Sequence, residues 1–173
     1  MPIVRILLVL LAFASSLPMA RGAVAGPFED AQAAHGRRDY ATALRLWRPL
    51  ADQGNAEAQY ALGSMYAGGK GVPKNNTEAA KWWRLAADQG EPRAFGDLGF
   101  IYAIGDVVPR NVVSAYLWFD LAVKYGDALA VEHRDALAQE MTPHQIAEAR
   151  NRASEWAPTS YVRDTVPLRP RET

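Results

Sequence analysis

Between Ala58 and Gly90 the apolar positions recur at helical spacing. Ala58, Leu62 and Tyr66 fall at i, i+4 and i+8 and mark one stripe of a first helix. A glycine-rich loop, Gly68-Gly69-Lys70-Gly71, runs into Val72-Pro73, and Asn75 stands where an N-cap belongs. Ala79, Trp82 and Ala86 then share one face of a second helix, which stops at Gly90, a position suited to positive φ. The pattern predicts two antiparallel helices joined by a tight loop. Gly63 interrupts the first stripe at a cost of about 1 kcal/mol. Close approach of a neighbouring helix is the usual reason to keep such a glycine.

The same unit follows once more. Gly54, Gly90 and Gly126 are 36 residues apart, and laying residues 54–89 on 90–125 without gaps gives 14 identities. They include Ala58 with Ala94, Leu62-Gly63 with Leu98-Gly99, Tyr66 with Tyr102, Asn75 with Asn111 and Trp82 with Trp118. The period reaches backwards as well, because Trp47 to Gly54 mirrors Trp83 to Gly90 and Asp39 lies in the N-cap phase of Asn75. A fixed period of this length means stacked supersecondary units. Trp82 and Trp118 are expected in the core, whereas Trp47 and Trp83, one position further round the helix, are expected to be partly exposed.

The flanks read as caps. Phe28 to Ala34 suggests a short first helix, Gly36 to Tyr40 the turn after it, and Pro49 a kink in the next helix. Leu129, His133, Leu137 and Met141 suggest a helix beyond the second unit. Thr142-Pro143-His144-Gln145 is a helix start, followed by Ile146, Ala149, Ala153 and Trp156 on an inner face. The expected organisation is a leader at 1–25, a helix pair at 26–53, repeats at 54–89 and 90–125, capping helices at 126–156 and a loose tail at 157–173.

These residues resemble the Sel1-like repeat, a relative of the tetratricopeptide repeat. Its pattern is an Ala, Leu-Gly, Tyr, a Gly-x-Gly-Val loop, a capping acid, Ala, Trp, Ala-Ala and a closing Gly. Ala58, Leu62-Gly63, Tyr66, Gly69-Lys70-Gly71-Val72, Ala79, Trp82, Ala86-Ala87 and Gly90 carry it, with Asn75 in place of the acid. The second unit departs at Val107, where the loop glycine is missing, and at Val123, where the second Ala is missing. The resemblance implies an all-α solenoid of antiparallel helix pairs, about seven or eight helices in a right-handed superhelix. It also implies a concave groove lined by the first helix of each pair, holding an extended or helical segment of another protein. The non-core positions of those helices are Glu57, Tyr60 and Ser64, then Arg93, Gly96 and Phe100. Tyr60 and Phe100 would act as anchors, and Glu57 with Arg93 would set polarity. The alternative is that Tyr60 and Phe100 pack inside a short, tightly curved array.

Composition narrows the chemistry. Among 173 residues, Lys and Arg number 19 and Asp and Glu number 19, a balance that argues against a nucleic-acid partner. The chain has no cysteine, which removes disulfides, thiolate catalysis and Cys-ligated metals. Some relatives are described as β-lactamase-like, but no Ser here is followed three residues on by Lys, and Gly-x-Ser-x-Gly does not occur. His144 and Glu148 lie i, i+4 without a third metal ligand beside them. Gly68-Gly69-Lys70-Gly71 lacks the Ser or Thr of a P-loop and links two helices. No catalytic residues, metal or cofactor are expected.

The address is at the start. Arg5 precedes an apolar run from Ile6 to Ala14, too short for a membrane span, and Ala23 and Ala25 form a small-residue cleavage site. The sequence thus predicts a signal peptide cut after Ala25 and a periplasmic or secreted protein of 17 basic and 19 acidic residues. The expected role is a protein–protein adaptor or regulator in the bacterial envelope, monomeric or weakly self-associating, with no membrane contact after cleavage. An envelope hydrolase and a purely architectural module are the rival readings.

Overall fold

A computed structural model describes residues 26–159. The leader and residues 160–173 of the tail lie outside the described residues. Eight helices follow in order: α1 (Pro27–Gly36), α2 (Tyr40–Asp52), α3 (Ala56–Gly68), α4 (Asn76–Asp88), α5 (Arg93–Ile104), α6 (Val112–Lys124), α7 (Leu129–Ala138) and α8 (Pro143–Glu155). Each helix from α2 to α7 packs on the one before it, and α8 folds back onto α6. This is the all-α solenoid expected from the repeat.

Five of the described helices, α2, α3, α4, α6 and α8, begin at an N-cap residue whose side chain accepts a bond from the first turn. Asp39 accepts from the Thr42 amide at 3.1 Å, Asn75 from Glu78 at 3.0 Å and Asn111 from Ser114 at 2.9 Å. Each bond satisfies one of the amides that a helix N-terminus leaves without an intrahelical partner. Thr142 and Gln145 form a reciprocal capping box at the start of α8. After α4 and α6 the chain reverses through Gly90 and Gly126, whose φ of 89° and 97° explains glycine at this phase. Pro49 lies inside α2, and the helix runs through it to Asp52 without interruption.

The core forms two clusters that meet in α4. Trp82 belongs to the half built from α1 to α4, and Trp83 to the half built from α4 to α8. Trp47 and Trp83, expected to be partly exposed, are buried at 4% and 7% exposure. Trp47 is covered by α1, its ring against Phe28 and His35, whereas Trp83 is buried by the glycine of the Leu-Gly pair. A Cβ on Gly63 would lie 2.5 Å from the Trp83 ring, and one on Gly99 would lie 2.6 Å from the Phe119 ring. Each glycine is therefore a socket for an aromatic ring of the next helix. Leu129 departs in the other direction and is 73% exposed, because α7 buries Ala130 and Leu137 instead.

On the second helices a further device repeats. The Arg48 guanidinium lies over the Trp82 ring at 5.2 Å and bonds Asp52 one turn on; Arg84 lies over Trp118 at 5.2 Å and bonds Asp88. The aspartate holds the guanidinium flat on the next unit's indole, joining cation–π attraction to register between units.

A candidate partner groove

The first helices of the pairs, α1, α3, α5 and α7, carry three hollows that share walls. The first, about 190 Å³, is lined among others by Phe28, His35, Glu57, Tyr60, Ser64 and Arg93. The second, about 410 Å³, is lined by Tyr60, Arg93, Gly96, Asp97, Phe100, Asp127, Leu129 and His133, with Phe119 and Ala130. The third, about 230 Å³, takes in Phe100, Ile104, His133 and Glu140. Tyr60 with Arg93 joins the first to the second, and Phe100 with His133 joins the second to the third. Together they form a row of adjoining hollows, a channel-like surface along the first helices.

All five residues expected at the groove line this channel. Glu57 and Arg93 are exposed and Tyr60 and Ser64 half-buried, so Tyr60 is neither free nor lost to the core. Phe100 keeps 39% of its surface while its ring meets Phe119 at 5.2 Å and His133 at 4.5 Å, both edge-on. Glu57 and Arg93 make no ion pair. The Arg93 guanidinium instead bonds Glu91 at 2.7 and 3.0 Å and lies over the Tyr60 ring at 4.6 Å. Burial alone would raise the Glu91 carboxyl, but the two Arg93 bonds outweigh it and hold it below the usual range.

Sequence reasoning missed the acids. Asp97 sits half-buried on α5, and its carboxyl is pushed up to about 6, first by burial and then by the Asp127 charge, against a lowering hydrogen bond from Tyr60. Tyr60 is raised in turn by burial and by Asp97. One oxygen of Asp127 accepts from the Leu129 and Ala130 amides at 3.0 and 3.4 Å, capping α7. Its other oxygen stands where a side chain on Gly96 would begin, 3.2 Å from a Cβ built there. Gly96 occupies the repeat phase of Tyr60, so loss of the aromatic ring in the second unit opens the middle hollow. That substitution within the repeat was the available signal.

A larger cleft, about 530 Å³, lies on the other side of α5, between Lys81, Leu85, Ile101, Tyr102, Val107 and Val108. Among the described residues no group of three or more His, Asp and Glu is placed to hold a metal ion. None of their helices is long and apolar enough to cross a membrane.

An all-helical repeat array with a channel along its first helices defines the class: an α-solenoid repeat protein. The Sel1 repeat model matches residues 33–55, 56–91 and 97–127, and the chain belongs to this family, whose members typically mediate protein–protein contacts. Among solved structures, a protective antigen of uropathogenic Escherichia coli with an SLR (Sel1-like repeat) fold is similar at 29% identity and a TM-score of 0.70. That similarity covers 85% of this chain but only 34% of the antigen's length. A Sel1 repeat protein of Oxalobacter formigenes is similar at 32% identity and a TM-score of 0.58, over 64% of this chain and 86% of that one. Nothing among the curated proteins matches the chain.

Proposed function

We propose that the chain is an exported adaptor or regulator of the bacterial envelope that holds a segment of another protein in the channel across α3, α5 and α7. The carrying observation is the row of three adjoining hollows, which share Tyr60, Arg93, Phe100 and His133 as walls. A segment lying along them meets an aromatic ring in each repeat and fixed charge at Arg93. That is the mixture of anchoring and polar contacts from which hot spots are built. The leader pattern, Arg5 with the apolar run to Ala14 and the small residues at Ala23 and Ala25, supports an envelope address.

Crosslinking capture from envelope extract tests this reading. The bait is the chain as purified from expressing cells, its N-terminus sequenced to check for cleavage after Ala25. A protein enriched on wild type and lost from Tyr60→Ala with Phe100→Ala is the expected result. Capture indifferent to that double substitution, with the variant folded by circular dichroism, removes the groove from the reading.

A further inference from the structure

The middle hollow carries charge that its own surroundings leave unanswered. Asp97 and Asp127 face it from α5 and from the cap of α7, and among the described residues neither makes an ion pair. Arg93, the one Lys or Arg in the lining, is engaged by Glu91 on one side and by the Tyr60 ring on the other. The Tyr60 hydroxyl favours the charged form of Asp97 and two backbone amides bond one Asp127 oxygen, which stabilises the carboxylates without neutralising them. The elevated Asp97 carboxyl agrees with this geometry, since burial and a second acid act on it with no cation to offset them.

Beside the acids lies apolar surface open to solvent. Leu129 is 73% exposed, Ile104 68% and Phe100 39%, and they border the middle and outer hollows. A neutral or acidic segment laid over Leu129 and Phe100 would strip water from two carboxylates and return nothing for it. A segment with a cation at that point converts the cost into charge-assisted hydrogen bonds. Resting on the groove reading above, we propose that the occupant is a peptide segment of a partner protein that presents one lysine or arginine between aliphatic residues, the cation set between Asp97 and Asp127 and the aliphatic side chains on Leu129, Phe100 and Ile104.

The test is panning of a random dodecapeptide display library on the whole chain, in parallel with the Asp97→Asn, Asp127→Asn double variant. Asparagine keeps the shape and the α7 cap while removing both charges, and thermal melting checks that the variant is folded. Recovered peptides should share a Lys or Arg flanked by Leu, Ile or Val. A synthetic consensus peptide should bind wild type at least about tenfold tighter than the double variant, and Phe100→Ala with Leu129→Ala should weaken it independently. Peptides without a cation, or cationic peptides that bind the Asn variant equally well, overturn the inference. If such peptides still require Tyr60 and Phe100, the groove reading survives that result; if they do not, both fall. Recovery of no peptide at all overturns this inference and leaves the groove reading to the capture experiment.

Discussion

Gly63→Ala and Gly99→Ala set two opposing effects against each other. Inside a helix, replacing Gly by Ala stabilises by about 1 kcal/mol. Here the new methyl would stand 2.5 Å from Cδ1 and Nε1 of Trp83, or 2.6 Å from Cδ1 and Cε1 of Phe119, about 1 Å inside ordinary carbon contact. Both rings are buried, at 7% and 2% exposure, so neither can swing aside without opening a void elsewhere. Overpacking costs about 1–3 kcal/mol, and contacts this short place both sites at its upper end. Each substitution should therefore lose about 1–2 kcal/mol net, read from urea unfolding midpoints at unchanged slope. Gly36→Ala at the end of α1 is the control, for among the described residues nothing lies within 4 Å of a Cβ there. It should gain about 0.4–1 kcal/mol. Phe119→Leu should cost less in the Gly99→Ala background than in wild type, the coupling expected of groups that compete for one space. Wild-type stability in Gly99→Ala, or a gain equal to that of Gly36→Ala, would refute the socket argument.

The pH dependence of stability should carry the mark of Asp97. Its folded carboxyl lies near 6 against 3.8 unfolded, so the folded state holds the extra proton between those values and this group's contribution falls as pH rises through the window. Tyr60, Arg93, Asp127 and His133 face it and set the background. Asp97→Asn should stabilise by up to about 3 kcal/mol at pH 7 and by little at pH 4; parallel wild-type and variant curves from pH 4 to 8 would contradict this. Asn75→Ala and Asn111→Ala each remove a cap bond from a different repeat and should cost about 1 kcal/mol apiece, adding in the double variant. Chemical denaturation of the three variants checks both the size and the additivity.

The fold was legible because each repeat states its structure locally. The 3.6-residue stripe, the Asn caps and the closing glycines are short-range signals, and the 36-residue period supplies each of them twice. What failed to read locally was the destination of Trp47 and Trp83, since a helical stripe says which face is apolar and not how wide it is. For Trp47 the missing information was the cover supplied by Phe28 and His35 of α1; for Trp83 it was long-range yet present. Gly63 lies 20 residues before Trp83 and Gly99 lies 20 before Phe119, a socket and its ring at one offset in both repeats. Leu129 misled for the opposite reason. Beyond the second unit the period ends, and α7 turns its Ala130 and Leu137 inward in place of the residue that opened the stripe.

The groove was legible only where the repeat constrains it. Glu57, Tyr60, Ser64, Arg93 and Phe100 follow from which positions of a first helix are not core, and the hollows run along those positions. Asp97 belongs to no repeated signal of the array, since it stands in the phase of Ala61, while Asp127 holds the polar phase of the cap Asn55 and of Glu91, which Arg93 neutralises. That difference bears on specificity. In the second unit the polar residue at this phase, Glu91, is paired and buried at 8% exposure; just beyond that unit Asp127 is exposed, unpaired among the described residues, and turned over Gly96. On the proposed reading, the shared architecture supplies the channel, while the residue choices at Asp97 and Asp127 supply the charge that selects its occupant. Substitutions at Asp97 and Asp127 should then alter partner choice with the solenoid intact, whereas substitutions at Gly63 or Gly99 should weaken the solenoid whatever the partner.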